Sequence, residues 1–425
     1  MQVKNPKEAQ SILDIKGNSD RTILHCDCNS FFASVECVLR PELRLVPMAV
    51  CGDPASRRGI VVAKNELAKK FGVKTTDTVW QAKQKCPEIV LIVPHHNLYG
   101  EYCDKVNEIY GQYTDQVEAA SIDESYLDVT GSLQMFGGGE QIADELRRRV
   151  REELGITISV GVSYNKVFAK LGSDYKKPDA TTVITRENYK QILYPLPVTD
   201  MLYVGESLAQ VLKRSYIHTI GDLAEAPLER IVGLLGKGGE TLWAHANGLD
   251  ESPVRHPGEF EPAKSVGNSI TFPRDLIGME DIRAGLKMLA DSVGARLRAQ
   301  DVTCQTVQLQ IKNPSLKVIC RQKTISRRTN LTREIYETAV EIIQNTWNPT
   351  SPIRMLMLTC SGLTRSGEAT EQVSLFEEGD RPARERQALL EATVDAIRHR
   401  FGHEAIVSGR VVRNELSGND EMKHD

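Results

Sequence analysis

The sequence lacks the features of a membrane or secreted protein. No run of apolar residues approaches the roughly 18 needed to cross a bilayer, and the first 20 residues contain no apolar segment typical of a secretory signal. The nine cysteines are odd in number and include no C-x-x-C pair, which argues against a disulfide framework and a structural zinc site. We therefore expect a cytoplasmic protein with reduced thiols, and its 425 residues predict several domains.

Charge is unevenly distributed along the chain. The formal net charge is only −4, but residues 264–365 contain 15 Lys/Arg against 8 Asp/Glu, a net of +7. Residues 366–425 contain 8 against 13, a net of −5. A basic segment followed by an acidic one suggests that the basic segment binds a polyanion. Ordinary solvated charged faces are the alternative explanation.

The amino-terminal half predicts a mixed core in which strands carry acidic residues. Thr22–Asp27 is a short apolar run that ends in an acid, and Ala119–Val129 and Ile156–Val162 are rich in residues that favour strands. Between the last two runs, Gly139–Leu154 has apolar residues at helical spacing. This succession of elements predicts an α+β fold.

The next stretch, Leu193–Pro253, predicts a small helical domain. It contains two glycine loops, Tyr203–Ser207 and Leu235–Gly239, in which backbone amides can approach a phosphate, as in helix-hairpin-helix DNA contacts. Ordinary turn glycines are the alternative. The segment Glu251–Pro262 has three prolines and little apolar content, so it predicts a linker.

Beyond the linker, the sequence predicts a separate domain of strands and helices. Period-two alternation marks two strands, and a helical run separates them from a third: Val302–Ile311, Leu316–Ile325, Arg333–Thr346 and Ile353–Cys360. Lys317, Arg321 and Lys323 fall on one face of the second strand, at a spacing suited to successive phosphates. A charged solvent-facing surface is the alternative.

Three acids stand at predicted strand edges: Asp27, Asp123 and Glu124. Adjacent residues of a regular strand, such as Asp123 and Glu124, point to opposite faces, which is unusual for two acids in a buried strand. Their negative charge therefore needs compensation. Phosphoryl transfer supplies a reason, because two divalent ions need several carboxylate oxygens to activate a hydroxyl and neutralise a leaving group. Magnesium suits oxygen ligands of this kind.

Three motifs give these residues a family resemblance. They are Asp27-Cys-Asn-Ser-Phe-Phe32, Ser121-Ile-Asp-Glu-Ser-Tyr-Leu-Asp128, and the N-K-x-F-A-K-x-x-S-D-x-x-K-P string within 161–178. In this order and spacing they resemble the Y-family translesion DNA polymerases, closest to the polymerase IV type. The resemblance extends from about Thr22 to Gly402.

The resemblance implies a right-hand polymerase with a helix-hairpin-helix thumb and a separate little finger. The implied divisions are an amino-terminal extension (1–21), palm (22–31 and 94–186), fingers (32–93), thumb (187–252), linker (253–263), DNA-binding little finger (264–366) and acidic tail (367–425). It also implies that Asp27, Asp123, Glu124 and the Cys28 carbonyl ligate two Mg²⁺ ions, for which Mn²⁺ is an alternative.

The same resemblance implies roles for residues that bind the incoming dNTP. Phe32, next to Phe31, corresponds to the steric gate that excludes a sugar 2′-hydroxyl. Lys177 corresponds to the lysine that holds the triphosphate, where a cation offsets negative charge that develops during transfer.

The fingers depart from the family pattern. Where many members have Thr/Ser, Tyr and Arg around the triphosphate, this chain has Ala63, Glu66 and Lys69, with Lys64 as a further cation. A lysine does not replace a bidentate arginine, so we expect Lys64 and Lys69 to bind the triphosphate in an arrangement closer to the UmuC-like branch. The roof over the template base consists of bulkier residues, which predicts a narrow lesion range: Ile60, Val62 and Thr76.

The acidic tail contains Gln372-Val-Ser-Leu-Phe376, which resembles the Q-x-x-L-F peptide that binds bacterial sliding clamps. Gln372, Leu375 and Phe376 are the implied anchors, and tethering to the clamp raises the effective enzyme concentration at a primer end. Residues Arg384–Phe401 predict an amphipathic helix of unknown role.

The resulting hypothesis is a monomeric, low-fidelity DNA polymerase of the bacterial cytoplasm that acts on primer-template DNA and dNTPs in damage tolerance. The sequence contains no set of acidic motifs typical of a proofreading exonuclease. One alternative is a silent DNA- and clamp-binding scaffold, against which the three acids argue. A phosphatase or cyclase is another, but Cys28-Asn29 breaks the D-x-D phosphatase pattern and a cyclase has no use for a DNA-binding domain.

Overall fold

The computed structural model describes residues 21–54, 59–259, 262–367 and 381–409. These residues divide into two compact units, 21–259 and 262–409, and each is described by itself. Both units combine helices and sheets, as the α+β prediction requires.

The first unit contains two sheets. Its strands are β1 (Ile23–Cys28), β2 (Met48–Cys51), β3 (Val61–Lys64), β4 (Val90–Ile92), β5 (Val117–Ala119), β6 (Glu124–Asp128), β7 (Ile158–Ser163) and β8 (Thr181–Val183). The larger sheet has the order β5-β6-β1-β7-β8, and β1 is antiparallel to both neighbours. The smaller sheet has the order β3-β2-β4. Every residue of β1 and β7 is buried, including the polar His25 and Asp27 of β1.

Helices cover these sheets and continue into a helical region. They are α1 (Phe31–Leu39), α2 (Glu66–Lys70), α3 (Val79–Lys85), α4 (His96–Gly111), α5 (Leu133–Phe136), α6 (Gly139–Leu154), α7 (Lys166–Tyr175), α8 (Tyr189–Leu193), α9 (Glu206–Arg214), α10 (Ile220–Glu225), α11 (Leu228–Leu235) and α12 (Lys237–Ala246). The predicted helix α6 has the predicted ends and buries Ile142, Leu146 and Val150 against the larger sheet.

The run Ala119–Val129 is a hairpin and not one continuous strand. Strand β5 ends at Ala119 and β6 begins at Glu124, with a tight bend between them. The amides of Ala120 and Ser121 both donate to the Glu124 carbonyl, which closes the bend. The bend frees Asp123 from the alternation of a strand.

The beginning of the predicted linker is fixed to the larger sheet. Val254 is only 2% exposed and packs with Ile23 and Ala169. The Arg255 guanidinium and backbone amide both donate to Glu118, which also accepts from Lys166 at 2.7 Å. A buried side chain and these ionic contacts show that residues 254 and 255 are anchored to the first unit.

The second unit is a four-stranded antiparallel sheet covered by helices. Its elements are β9 (Ser265–Leu276), α13 (Met279–Ala299), β10 (Val302–Lys312), β11 (Val318–Thr329), α14 (Thr332–Thr346), β12 (Ile353–Ser361), β13 (Thr364–Arg365) and α15 (Arg381–Phe401). The order is β11-β10-β12-β9, and β13 pairs with β10. Across both units, the helices of the described residues are too short or too polar to cross a membrane.

Candidate active site

Strands β1 and β6 place two acids side by side. Asp27 and Glu124 are direct cross-strand partners in the antiparallel register, and such partners project from the same face of a sheet. Asp27 is the penultimate residue of β1 and is 6% exposed, whereas Glu124 begins β6 and is half-buried. The register therefore brings together two acids that lie 97 positions apart in the sequence.

Asp123 lies beside this pair, in the bend before β6. Its carbonyl accepts from the Cys28 amide at 2.9 Å, and its carboxylate accepts from the Ser121 hydroxyl at 2.7 Å. The structure thus joins the end of β1, including Cys28, to the bend that contains Asp123. The adjacency of Asp123 and Glu124 is accommodated because only Glu124 belongs to the strand.

Two lysines contact the acids. The Lys170 ammonium, on α7, lies 3.0 Å from Asp27 Oδ2 and 2.7 Å from Glu124 Oε1. The Lys177 ammonium, just after α7, lies 2.6 Å from Asp27 Oδ2 and 2.6 Å from Asp174 Oδ1. Lys177, predicted to hold a triphosphate, is thus brought to the acids, and Lys170 joins it there.

The surroundings shift the proton affinity of the two strand acids in opposite directions. Burial raises the pKa of Asp27 to about 6, although Lys177 and Lys170 act against this shift. The imidazole of His25 and the ammonium of Lys170 hold the pKa of Glu124 below its ordinary value. His25 is fully buried, and its Nε2 lies 3.8 Å from Glu124 Oε2, which is too long for a hydrogen bond.

The donor set suits a hard divalent cation. Carboxylate and carbonyl oxygens are the ligands that Mg²⁺ prefers, and the ammonium groups show that positive charge is stabilised between Asp27 and Glu124. Within the described ranges, no group of three or more His, Cys, Asp or Glu side chains is placed to hold a metal ion. The ammonium groups of Lys170 and Lys177 contact the carboxylates of Asp27 and Glu124, so Mg²⁺ can reach these two acids only if the lysines give way.

The ring of Phe32, the predicted steric gate, is stacked on Tyr99. The ring centroids are 4.2 Å apart with 13° between the planes, and Phe31 packs tilted against both rings. Tyr99 is fully buried and donates to Glu36 at 2.6 Å. Phe32 itself is only half-buried, so its ring is packed on Tyr99 on one side and remains accessible on another.

Sequence reasoning missed Tyr99 and Glu36, and it assigned no functional role to Lys170. No local pattern marks Tyr99 or Glu36, because their partners lie 67 and 63 positions away in the sequence. Lys170 lies four residues before Asp174 and seven before Lys177. This helical spacing was the available signal that these side chains lie together at a helix end that faces the acids.

The predicted fingers residues that depart from the family pattern lie on β3 and α2. Lys64 donates to Thr75 at 3.2 Å, and burial lowers its pKa. Lys69 and Glu66 form an exposed pair at 3.5 Å, and Ala63 is a half-buried residue of β3. Lys69 is thus engaged with Glu66 and not with the acids.

The predicted roof residues share one surface. Ile60 and Val62 flank the buried Val61 and are both exposed. Thr76 lies beside them, because its amide donates to the Val61 carbonyl at 2.8 Å. The three form an exposed surface on the smaller sheet.

In the second unit, two of the three predicted DNA-binding residues lie on the outermost strand, β11, and the prediction that all three share one face of a strand is wrong for Lys317. Arg321 is opposite Leu309 and Lys323 is opposite Val307, and both partners are buried under the helices. Arg321 and Lys323 therefore lie on the helix-bearing side, and Lys323 pairs with Glu341 of α14. Lys317 lies in the turn before β11. Their DNA binding stays a prediction.

The predicted clamp-binding residues lie outside the residues that the structure describes: Gln372, Leu375 and Phe376. The helix predicted after them is α15, which begins three residues earlier than expected, at Arg381. It docks on the second unit through ion pairs of Glu391 and Asp395 with Arg298.

Two family models match the chain. Residues 26–174 match the impB/mucB/samB family, and residues 263–375 match the C-terminal domain of the impB/mucB/samB family. The first match contains the three acids, and the second covers the sheet of the second unit.

Named relatives and a solved structure match most of the length of this chain. The chain is 48% identical to a DNA polymerase IV of Acetivibrio thermocellus, over 93% of this chain and 98% of the relative. It is 36% identical to a DNA polymerase IV of Clostridium kluyveri, over 92% of this chain and 98% of the relative. The fold matches a Y-family DNA polymerase chimera, Dbh-Dpo4(243-245)-Dbh, with a TM-score of 0.71 and 24% identity, over 81% of this chain and 99% of the other.

Proposed function

Since the chain belongs to the Y-family of DNA polymerases, in the DNA polymerase IV group, we propose that it transfers deoxynucleoside monophosphates to a primer 3′-hydroxyl under the direction of a template. The predicted fold, an α+β right-hand polymerase, is confirmed by the match to a solved Y-family structure. The convergence of Asp27, Asp123 and Glu124 at the end of β1 is the observation that carries the proposal.

The two sheets and the helical region of the first unit correspond to three parts of a polymerase hand. The five-stranded sheet with the acids is the palm, the three-stranded sheet is the fingers, and α9 to α12 form the thumb. The second unit, with its net charge of +7 over residues 264–365, is the little finger that binds DNA. Residues 253–263 join the two, with Val254 anchored to the palm.

The carboxylates of Asp27, Asp123 and Glu124, with the Cys28 carbonyl, would hold two divalent ions, Mg²⁺ in the cell and Mn²⁺ as a substitute. Bound metal of this kind activates the attacking hydroxyl and neutralises the leaving pyrophosphate. Asp27 needs this positive charge most, because burial alone raises its pKa. The protein's own contribution is to pair Asp27 with Glu124 through the β1–β6 register and to hold the bend of Asp123 to the end of β1 through the Cys28 amide.

Two further residues select and orient the nucleotide. Phe32 presents the open side of its ring below the sugar, where a 2′-hydroxyl would clash, and the Tyr99 stack keeps it there. Lys177 reaches the acids at 2.6 Å and is placed to contact the triphosphate beside them. Lys64, which donates to Thr75, and Lys69, in an exposed pair with Glu66, are the further cations that we assign to the triphosphate.

Translesion synthesis of low fidelity, without proofreading, is the biological role that we assign. The exposed Ile60 and Val62 are bulky for a template roof, so we expect a narrow lesion range. Bypass of a bulky adduct at a rate near that on undamaged DNA would contradict this expectation.

Primer extension by the purified protein with Mg²⁺ and four dNTPs, on undamaged and abasic templates, tests the activity. We expect extension by the wild type and by Asp104→Asn, an exposed matched control, and none by Asp123→Asn. Binding of primer-template without extension by the wild type would instead favour the silent scaffold.

Clamp binding by Gln372–Phe376 is a separate part of the proposal. A short apolar pair in an acidic segment suits a peptide that docks on a ring. We expect Leu375→Ala with Phe376→Ala to abolish retention on an immobilised clamp while leaving clamp-free primer extension unchanged. Full retention by the double variant would remove the clamp from the proposal.

A further inference from the structure

Lys170 lies between two groups of carboxylates. Its ammonium contacts Asp27 and Glu124 at 3.0 and 2.7 Å, and it also lies 3.3 Å from Asp174 Oδ2, one helical turn further along α7. The Lys170 side chain is 17% exposed, whereas Asp174 is 47% exposed and outside the proposed set of metal ligands. A small movement would therefore transfer the ammonium from the acids to Asp174.

The charge balance explains why a cation stands at this position. Asp27 is buried beside Glu124, and two adjacent carboxylates in a partly desolvated site repel each other. The Lys170 ammonium lies within ion-pair distance of both carboxylates, so it offsets their mutual repulsion. Lys170 supplies positive charge to the same oxygens that a divalent ion would use.

We propose that Lys170 is a placeholder cation: it positions Asp27 and Glu124 before metal binds, competes with Mg²⁺ for their oxygens, and moves to Asp174 when the ion arrives. This inference rests on the proposed metal-binding role of the acids. Asp174 is then a second positioning residue, which holds Lys170 away from the occupied site. It also contacts Lys177 at 2.6 Å, so it can retain both lysines.

The two residues have opposite expected effects on metal affinity. In Lys170→Met the competing charge is removed, so the acids bind Mg²⁺ more tightly although the metal-free protein is less stable. In Asp174→Asn the alternative partner is removed, so Lys170 stays on the acids and Mg²⁺ binds more weakly. A purely structural ion pair would lower the melting temperature without moving metal affinity in two directions.

The test is thermal unfolding of the full chain in a MgCl₂ titration, without DNA or nucleotide, from which the apparent Mg²⁺ affinity is obtained by linkage. We expect Lys170→Met to tighten the affinity at least about fivefold and Asp174→Asn to weaken it by a similar factor. Lys166→Met, on the same helix but paired with Glu118, is the matched control and should leave the affinity unchanged. If Lys170→Met does not fold, Lys170→Gln, which also removes the charge, takes its place, because Asp174 contacts both lysines and its variant alone does not isolate Lys170.

The outcomes separate this inference from the function on which it rests. If the wild type does not respond to Mg²⁺ at all, the metal-binding role of the acids is wrong and the inference falls with it. If the wild type responds and both variants match its affinity, only the placeholder role of Lys170 is overturned.

Discussion

At the scale of single residues, the Phe32 ring depends on the ring behind it. Tyr99 stacks on Phe32 at 4.2 Å and is itself fixed by Glu36. We expect Phe32→Val to open space for a 2′-hydroxyl and to reduce discrimination between dNTP and rNTP at least about tenfold. Single-nucleotide incorporation of dCTP and CTP opposite dG measures this ratio.

The matched control for this prediction is Phe71→Val, which removes an exposed ring elsewhere in the first unit. It should leave discrimination at the wild-type level. Unchanged discrimination in Phe32→Val as well would show that another residue excludes ribonucleotides.

The predicted DNA-binding cations differ in how far their charge is already compensated. Lys323 is paired with Glu341, whereas the Arg321 guanidinium donates to a backbone carbonyl, that of Cys320. We expect Arg321→Gln and Lys317→Gln each to reduce the salt dependence of DNA affinity by about one unit of slope, and Lys323→Gln to reduce it less. Equal slopes in all three variants and the wild type would exclude phosphate contacts by this strand.

At the scale of elements, Glu118 of β5 anchors the start of the linker. Its side chain is 10% exposed and accepts from Lys166 and Arg255. Burial opposes the charge, but these contacts outweigh it and lower the pKa of Glu118. A lowered carboxyl pKa adds stability that is present above the unfolded value, 4.5, and is lost as the pH falls through the folded value.

We therefore expect Glu118→Gln to lower the free energy of unfolding by about 2 kcal/mol at pH 7. The difference from the wild type should shrink as the pH falls below 4.5, because protonated Glu118 resembles glutamine. Urea unfolding at several pH values measures both quantities, with Glu152→Gln in an exposed helical pair as the control. A difference that does not depend on pH would contradict the ionic anchor.

Helix α15 contacts the rest of the second unit through polar and charged side chains. Glu391 is 7% exposed and accepts from Arg298 at 2.6 Å and from the Thr332 amide at 2.8 Å. Loss of this charge weakens two bonds in a nearly buried place, so Glu391→Gln should increase amide hydrogen exchange in α15 about tenfold or more. Glu337→Gln, in an exposed pair, is the control. Unchanged protection of α15 in Glu391→Gln would show that other contacts hold the helix.

The sequence predicted elements with strong periodicity and missed those fixed by distant partners. Helix α6 and strand β10 have nearly the predicted ends because hydrophobic alternation depends on neighbouring residues. The bend at Asp123 was missed because it depends on pairing between β5 and β6. The anchoring of Val254 was missed for the same reason, since its partners Ile23 and Ala169 lie far away in the sequence.

The site residues also divide into those predicted from local motifs and those whose importance depends on distant contacts. Asp27, Asp123 and Glu124 were predicted from motifs; the β1–β6 register pairs Asp27 with Glu124, and a backbone hydrogen bond to Cys28 holds Asp123 next to them. Lys170 and Tyr99 acquire their significance only from contacts across the fold, 2.7 Å to Glu124 and 4.2 Å to the Phe32 ring. Local patterns therefore predicted the acids, whereas the contacts of Lys170 with the acids and of Tyr99 with Phe32 are visible only in the tertiary structure.

At the scale of the whole molecule, the residues proposed for chemistry and the segment proposed to bind DNA lie in different units. Asp27, Asp123, Glu124, Phe32 and the two lysines belong to the first unit, whereas the second unit contains the basic segment, with a net charge of +7 over 264–365. Affinity for DNA should thus survive changes that remove activity, because the proposed phosphate contacts and the proposed metal ligands lie in different units.

The most direct measurement is single-turnover incorporation of one dNTP into primer-template DNA by the wild type, Asp27→Asn, Glu124→Gln and the exposed control Asp104→Asn, with DNA affinity measured in parallel. We expect both site variants to lose at least about 10³-fold in rate while DNA affinity stays within about threefold of the wild type. Incorporation by either site variant within about tenfold of the wild-type rate would contradict the assignment of these carboxylates to nucleotidyl transfer.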